Sequence, residues 1–494
     1  MHKTKSKILL GFALALSLAM LVGCGNGQSN GTSSDTTTGG GTTPKVDQTA
    51  FVVPEGGYDG SAVTIKFYHT MSTTNLTPVL DQYITSFNAI YPNITVEYTS
   101  VGSYDDVRNQ IKTEIAIGNQ PNLAYCYPDH VALYNKAKAV ISLDNLINSQ
   151  VSDGKDGIIG LNQVQKGDFI EAYYNEGKQF ADGRMYTLPF SKSTEVLYYN
   201  KTFFTANNLS VPDHWFSTGD DDKTSLEYVC EAIKKIDPNS TPLGYDSSAN
   251  WFITMCEQLE IPYTSATGNH FLFNNDDAKA FVNKFKDWSK KGYVTTQKLL
   301  GTYTSSIFKE TDPSKQKSYM SIGSSAGATH QRPDKVGGNY PFDVGIAEIP
   351  QANAEHKRVI SQGPSVCIFR NSDPQKVMAS WLFLKYLTTS VEFQAEFSLA
   401  SGYVPVLKSV KQNETFAEKL AARNGGDNIS SLSAYVCMEQ AANYFTSPAF
   451  VGSSEARDQV GGIIDAMLAD VSDKKNIDTV FADAITECEY QVTG

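Results

Sequence analysis

The sequence predicts an α/β fold in which helices cover a largely parallel sheet. Predicted strands alternate with predicted helices from residue 63 onward, and this alternation is typical of parallel sheets. The chain beyond about residue 61 is long enough for two or three domains, and 41% of all residues are hydrophobic. In such sheets ligands bind beyond the carboxyl ends of the strands, which directs attention to the loops after Tyr68, Tyr98 and Tyr127.

The first elements follow one another closely. Val63, Ile65 and Phe67 alternate with polar residues and predict a strand over 63–70. Apolar residues three and four apart, with a proline near the start, then predict an amphipathic helix over about 76–87. A second strand around 94–98, a second helix around 107–115 and a third strand over 122–127 complete this part.

Longer helices are predicted further along the chain, with strands between some of them. The predicted helices span 226–236, 278–291, 374–388 and 461–471. The predicted strands span 184–188, 196–199, 343–349 and 366–369.

The N-terminus has the features of a lipoprotein signal peptide. Three lysines precede an apolar run over 8–22, and the string Leu21-Val22-Gly23-Cys24 ends it. The run is too short and wrongly flanked for a membrane span, so we expect residues 1–23 to be removed and Cys24 to become a lipidated N-terminus. Residues 24–61 are rich in Gly, Ser and Thr and predict a flexible tether.

Charge and cysteine spacing exclude several functions. Removal of the three N-terminal lysines shifts the formal net charge from −12 to −15, which disfavours nucleic acid as a partner. Six further cysteines lie too far apart for a CxxC motif or a metal knuckle, and we expect buried free thiols. The histidines are scattered, without HExxH, and neither a GxSxG elbow nor a P-loop is present. We therefore expect neither an enzyme nor a bound metal or cofactor.

Five strings, in order, resemble the family 1 extracellular solute-binding proteins of bacterial ABC importers. They are Phe67-Tyr-His-Thr-Met71, Gly118-Asn-Gln-Pro-Asn122, Leu188-Pro-Phe190 followed by 196–201, Met320-Ser-Ile-Gly-Ser-Ser325 and Ser401-Gly-Tyr-Val-Pro405. The resemblance covers about residues 62–490. It implies a two-lobed type II fold with a hinge of crossing segments, a solute trapped between the lobes and ABC permease subunits as partners. By the same resemblance, lobe 1 would hold 62–189 and 350–408, and lobe 2 would hold 190–349 and 409–494.

The branch of this family that binds glycerol 3-phosphate carries the most similar pattern, and its ligand positions can be matched individually. The matching residues are Tyr104, Ser193, a serine of the Ser324-Ser325 pair, Gly363, Tyr403 and Arg457. One position departs from the pattern, because Pro128 stands where that branch has a glutamate that binds glycerol hydroxyls, with Asp129 beside it. Arg and hydroxyl donors suit an anionic phosphate group.

Carbohydrate is the alternative ligand class, since sugars stack on aromatic rings and bond to planar polar groups. Trp251 and Tyr68 are the candidate platforms, and Asp129 and His130 the candidate hydroxyl ligands, whereas Trp288 and Trp381 lie on helical patterns and are expected in the core. A tethered sensory protein would use the same lobes, so sequence does not separate sensing from transport. We expect a monomer held at the outer face of the cell membrane by its lipid.

Overall fold

Two β-sheets form the framework of the protein in the computed structural model, which describes residues 49–71, 74–155 and 157–493. The strands in chain order are β1 (Val63–His69), β2 (Ile94–Ser100), β3 (Leu123–Cys126), β4 (Thr187–Pro189), β5 (Ser193–Asn200), β6 (Leu243–Tyr245), β7 (Val294–Thr296), β8 (Met320–Ser324), β9 (Val344–Ala347), β10 (Val359–Gln362), β11 (Ser365–Ile368) and β12 (Tyr444–Phe445).

Helices surround both sheets. In chain order they are α1 (Thr77–Ile90), α2 (Tyr104–Ala116), α3 (Pro128–Lys136), α4 (Asp144–Asn148), α5 (Gln163–Asp168), α6 (Glu171–Glu176), α7 (Lys201–Ala206), α8 (Leu226–Ile236), α9 (Ser248–Gln258), α10 (Asp276–Lys290), α11 (Gln297–Leu300), α12 (Ser305–Phe308), α13 (Pro374–Thr389), α14 (Val391–Ser401), α15 (Glu414–Ala421), α16 (Ile429–Glu439), α17 (Ser453–Ala469) and α18 (Ile477–Thr493).

The first sheet has the strand order β2-β1-β3-β11-β4. Its first three strands are parallel, as the alternation of strands and helices predicts, whereas β11 runs antiparallel to both β3 and β4. The predicted strand at 63–70 is confirmed, and its alternation has a physical basis. Ile65 and Phe67 are fully buried on one face and pack against helix α13, whose tryptophan, Trp381, is also buried.

The second sheet has the order β12-β10-β5-β8-β6-β7, with β9 also paired to β5. It mixes parallel pairs around β6 with antiparallel pairs around β5. Strand β10 pairs with Ser193 and Thr194 of β5. The sequence boundaries place 350–408 in lobe 1, but this four-residue strand lies in the second sheet, and the chain returns to the first sheet only at β11.

Together the two sheets and their helices give the two-lobed α/β fold. The predicted helices at 226–236, 278–291 and 374–388 are confirmed as α8, α10 and α13. The helix predicted at 461–471 is α17, which begins eight residues earlier, at Ser453. The reason is that the first turns of α17 carry Ser, Glu, Arg, Asp and Gln, and their low hydropathy hides the helical period.

The end of the predicted tether packs on the folded body. Thr49 is buried, Ala50 forms a bridge with Ser142, and Phe51 contacts the core. The apolar residues Phe51 and Val53 explain these contacts, because they bury surface that the Gly- and Ser-rich segment before them lacks. Cys24 and the predicted signal peptide lie outside the described residues.

The cysteines behave as expected within the part of the chain that the structure describes. All six that follow Cys24 are free thiols, and all are buried. Burial raises the pKa of Cys230 and Cys437, in the latter case to about 11. These thiols are therefore packing residues and not nucleophiles.

Candidate functional site

The chain crosses between the two sheets at three places that touch one another. Residues 190–192 connect β4 to β5, residues 363–364 connect β10 to β11, and a third segment follows α14. The Phe190 N–H donates to the Pro364 carbonyl at 3.1 Å, and the Lys192 N–H donates to the Val404 carbonyl at 3.0 Å. These bonds tie the crossing segments into one unit, as a hinge requires.

Gly363 lies at the closest point of this crossing. Its φ is +86°, and a Cβ atom placed there would lie 2.6 Å from the Ser191 carbonyl oxygen. The position therefore needs glycine both for its backbone conformation and for the space. The sequence prediction gives Gly363 a role in ligand binding, and the structure shows a second role in the chain crossing.

A cleft of about 630 Å³, including the part open to solvent, lies beside the crossing segments. Residues that follow β3 line one side of it, and residues of α9, β10 and α17 line the other. The polar lining residues are Tyr127, Asp129, Glu176, Tyr263, Thr264, Ser361, Gln362, Thr446, Ser447, Ser453 and Arg457. The cleft thus opens at the carboxyl end of strand β3, where the fold rule for ligand sites places it.

Arg457 enters the cleft from α17. The helix approaches α9 closely because Gly461 faces it, and a Cβ at Gly461 would lie 3.2 Å from Ala249. Next to Ala249, the Asn250 side-chain oxygen accepts a hydrogen bond from the Arg457 guanidinium. This hydrogen bond holds one nitrogen of the guanidinium in place, and Arg457 lines the cleft.

Asp129 also lines the cleft, from the first turn of α3. Pro128 begins this helix, a position that suits proline because no intrahelical N–H bond is needed there. The Ser454 hydroxyl donates to Asp129 at 2.6 Å. Burial alone would raise the pKa of Asp129, but His130, Ser454 and Arg457 stabilise the carboxylate and lower it. The lining of the cleft thus carries the acidic side chains of Asp129 and Glu176 as well as the Arg457 guanidinium.

Of the tyrosines in this region, Tyr127 and Tyr263 line the cleft, whereas Tyr104, which packs on Tyr127, and Tyr403 are not among the lining residues. The Tyr104 and Tyr403 hydroxyls lie 3.2 Å apart, and the Tyr104 ring centroid lies 4.7 Å from that of Tyr127. Tyr104 is the first residue of α2, which a capping box between Ser103 and Asp106 fixes in place. Burial raises the pKa of Tyr104 well above its usual value, so these phenols stay neutral and can donate. Resemblance alone gave Tyr104 and Tyr403, and the fold brings them together although 299 residues separate them in the chain.

The predicted serines differ in their surroundings. Ser193 is buried at the start of β5, opposite Gln362 of the cleft wall. The Ser324 hydroxyl caps the short helix that follows β8 by accepting from the Ala326 N–H. Ser325 is fully buried, and its hydroxyl accepts from the Thr194 N–H at 3.1 Å. Ser325 therefore holds β8 to β5, and of the pair Ser324 is the more exposed.

Trp251 requires a correction. It is fully buried on α9, with its ring centroid 4.8 Å from that of Tyr245 and 4.0 Å from that of Phe285. It is therefore a core residue, as Trp288 and Trp381 are, and no face of the indole is free for a sugar. The other candidate platform, Tyr68, donates its O–H to Glu114 at 3.2 Å and packs beside Val101 and Ile115.

Several cleft residues escaped the sequence analysis. Tyr127 had a signal, since it ends the third predicted strand and so stands where ligand loops begin. Glu176, Ser361 and Tyr263 had none, because they reach the cleft from α6, β10 and a loop after α9. Only the long-range pairing of the chain brings them there.

Comparisons with known proteins bear on the family and the fold. Residues 82–424, more than half of the chain, match the family model described as bacterial extracellular solute-binding protein. The sn-glycerol-3-phosphate-binding periplasmic protein UgpB of Escherichia coli O6:K15:H31 (strain 536) is 24% identical over 388 residues, covering 75% of this chain and 80% of that protein.

Solved structures show the same fold. UgpB from Mycobacterium tuberculosis in complex with glycerophosphocholine has a TM-score of 0.64 at 16% identity, covering 88% of this chain and 99% of that one. The cyclic α-maltosyl-1,6-maltose binding protein from Arthrobacter globiformis has a TM-score of 0.65 at 17% identity, covering 88% and 100%. Within residues 49–71, 74–155 and 157–493, none of the helices combines the length and the apolar character needed to cross a membrane.

Proposed function

The chain belongs to the bacterial extracellular solute-binding proteins, the substrate-binding components of ABC importers, and from that premise we propose that its solute is a phosphorylated polyol. A glycerol phosphate or a glycerophosphodiester is the proposed ligand. The solute would be enclosed between the lobes and delivered to the permease subunits. The protein acts by binding and release, so its side chains need to recognise a solute and not to transform it.

The observation that carries this proposal is the position of Arg457. Arg457 lines the cleft together with Ser453 and Tyr127, while Asn250 holds one of its guanidinium nitrogens. A held guanidinium in a partly enclosed cleft suits a phosphate oxygen, because a charge-assisted hydrogen bond gains strength where water is excluded. The relatives named for glycerol 3-phosphate and glycerophosphocholine support the same class.

The other end of the cleft suits the rest of such a molecule. Asp129 supplies a carboxylate that can accept from polyol hydroxyls, and it stands beside Pro128, the position where the glutamate of the glycerol-3-phosphate branch is missing. The ring of Tyr127 lines the cleft and packs on that of Tyr104 behind it, which gives the cleft an aromatic face. A carboxylate with an aromatic wall also fits the choline end of a glycerophosphodiester.

An oligosaccharide is the second candidate, and the same aromatic face favours it. Tyr127 and Tyr263 line the cleft and can stack on the C–H faces of a sugar, and a structural neighbour is named for a cyclic maltosyl sugar. Arg457 separates the two candidates, since a neutral sugar needs no guanidinium.

Calorimetry with sn-glycerol 3-phosphate, glycerophosphocholine and maltotriose tests the proposal. We expect one of the phosphate compounds to bind and maltotriose not to bind. Truncating a desolvated partner of a charged group costs about 2 to 5 kcal/mol, so Arg457→Ala should weaken binding by roughly 30-fold or more. Arg457→Lys keeps the positive charge but lacks the planar guanidinium with its paired donors. Its affinity should lie between those of wild type and Arg457→Ala. Tight binding of maltotriose with an affinity that Arg457→Ala leaves unchanged would contradict the phosphate proposal and support a sugar ligand.

The N-terminal features complete the proposal. Cys24 would carry a diacylglyceryl anchor, and the following residues would tether a monomeric body at the outer face of the cell membrane. Lobe 1 would hold the first sheet and lobe 2 the second, with the crossing segments at 190–192 and 363–364 as the hinge between them.

A further inference from the structure

Glu195 is a buried acid that is connected to the proposed anion site through one intervening side chain. It sits on β5, opposite Ser324 of β8, and only 1% of its surface is exposed. The Tyr245 O–H donates to one carboxylate oxygen at 2.5 Å, and the Asn250 side-chain N–H donates to the other at 3.0 Å. Both oxygens therefore have a partner from the protein, which a buried carboxylate requires.

Asn250 connects this acid to Arg457. Its side-chain nitrogen faces Glu195, and its side-chain oxygen accepts from the guanidinium. The orientation of the amide follows from its neighbours, because an ionised carboxylate only accepts hydrogen bonds and a guanidinium only donates them. Asn250 is almost fully buried in the first turn of α9, where Ser247 caps the helix, so it has little freedom to turn.

We propose that Glu195 is a positioning residue that fixes Arg457 through Asn250 and makes the affinity of the cleft for an anionic solute depend on pH. This inference rests on the proposed function, in which the solute carries a phosphate group. The ionised form of Glu195 orients the relay but also offsets part of the positive charge that an anion would meet. The protonated form leaves that charge fully available.

The charges around Glu195 set the direction of the pH dependence. Burial raises its pKa to about 7, and Tyr245, Asn250 and Arg457 oppose this rise while Asp246 adds to it. These groups face Glu195 from β6, α9 and α17, and from α16 the Gln440 amide reaches its main-chain oxygen at 3.5 Å. An anion bound at Arg457 adds negative charge nearby and raises this pKa further. The bound protein then holds more protons, so affinity is highest below the pKa of the free protein and falls as pH rises through it.

Glycerophosphocholine is the probe of choice, since its phosphodiester keeps one charge across this range. Calorimetry at about pH 6 and about pH 8.5 should show affinity falling about tenfold for wild type if binding shifts the pKa of Glu195 by one unit. Glu195→Gln keeps the shape, can still accept from Asn250 and cannot ionise. It should bind at least as tightly as wild type at low pH, with a flat pH profile. Glu195→Ala removes the support of Asn250 and should weaken binding about tenfold at both pH values.

Two controls separate the possible outcomes. Asp246→Asn removes the neighbouring acid, which bonds to Thr304, and should keep the pH slope. The infrared band of a protonated carboxyl group should grow below neutral pH in the free wild type and be missing from Glu195→Gln, a readout that needs no ligand. A wild-type slope that survives in Glu195→Gln overturns this inference and leaves the proposed function intact. Failure of wild type to bind either glycerophosphocholine or sn-glycerol 3-phosphate overturns both.

Discussion

Lys192 and Glu176 form an ion pair that is closed off from solvent where the chain crosses between the two sheets. The Lys192 ammonium also donates to the Gly363 carbonyl at 3.2 Å and to the Ser365 hydroxyl at 3.0 Å. One buried cation thus joins α6 to two of the crossing segments. Because Glu176 also lines the cleft, the hinge and the ligand site share a charged group.

Removal of the Lys192 charge should destabilise the protein strongly. Lys192→Met leaves Glu176 buried without its counterion, and breaking a buried pair costs about 3 to 5 kcal/mol. Urea unfolding measures this loss. Lys235→Met breaks the exposed Lys235–Glu231 pair on α8 and serves as the matched control, for which we expect no measurable change. Equal stabilities of the two variants would show that the buried pair does not secure the crossing.

A substitution at Gly363 should cost more than one at a glycine of similar backbone conformation. The new Cβ of Gly363→Ala meets the Ser191 carbonyl at 2.6 Å, whereas at Gly338, with φ +89°, a Cβ would have no other atom within 4 Å. We expect Gly338→Ala to lower the free energy of unfolding by about 1 to 2 kcal/mol, because of its left-handed backbone conformation alone. Gly363→Ala should lower the free energy of unfolding by clearly more in the same experiment. A difference within error would mean that the crossing segments separate easily.

Trp251 and Tyr127 should respond to truncation in opposite ways. Trp251→Ala removes a stacked core ring and should cost about 3 to 5 kcal/mol of stability, while Trp251→Phe should retain solute binding. Tyr127→Ala removes part of the cleft wall and should weaken binding of the solute with a smaller change in melting temperature. Thermal denaturation and calorimetry on the same samples separate the two effects. Loss of solute binding by a Trp251→Phe variant that remains stable would show that the indole belongs to the ligand site.

The sequence was most informative where a pattern is local. Alternation revealed β1, and helical spacing revealed α8 and α13, because the face of each element that meets the core repeats within a few residues. It was least informative at Trp251, which follows Ser247, Ser248 and Asn250, polar residues typical of a binding loop. The burial of that ring depends on Tyr245 and Phe285, which only the folded chain places on its two faces.

The residues of the candidate site were likewise predictable only in part from the sequence. Arg457 and Asp129 are far apart in the chain, and no local pattern connects them. Resemblance suggested Arg457, whereas Asp129 was singled out as the neighbour of Pro128, and the fold places both in the lining of one cleft. Glu195 and Asn250 carried no signal, since a single acid just before a predicted strand is more often solvated than buried. Their significance depends on two hydrogen bonds between β5, β6 and α9.

Ligand binding should close the two lobes. A cleft bounded by both sheets and joined through three crossing segments allows rotation about a short hinge, and closure removes water from around Arg457. Small-angle scattering should show a smaller radius of gyration with saturating solute than without it. Arg457→Ala at the same solute concentration is the control and should stay at the unliganded value. An unchanged radius for saturated wild type would contradict hinge closure.

Cys24→Ser should release the protein from the membrane. The basic start, the apolar run and Leu21-Val22-Gly23-Cys24 predict a lipoprotein signal, and a thioether-linked diacylglyceryl group supplies the two chains that stable anchoring needs. Fractionation of cells should find wild type with the membrane and Cys24→Ser in the medium or the soluble fraction. Cys488→Ser changes a buried free thiol instead and should remain with the membrane. Because the folded body is untouched by Cys24→Ser, the released protein should bind its solute as wild type does, and retention of this variant on membranes would refute the anchor.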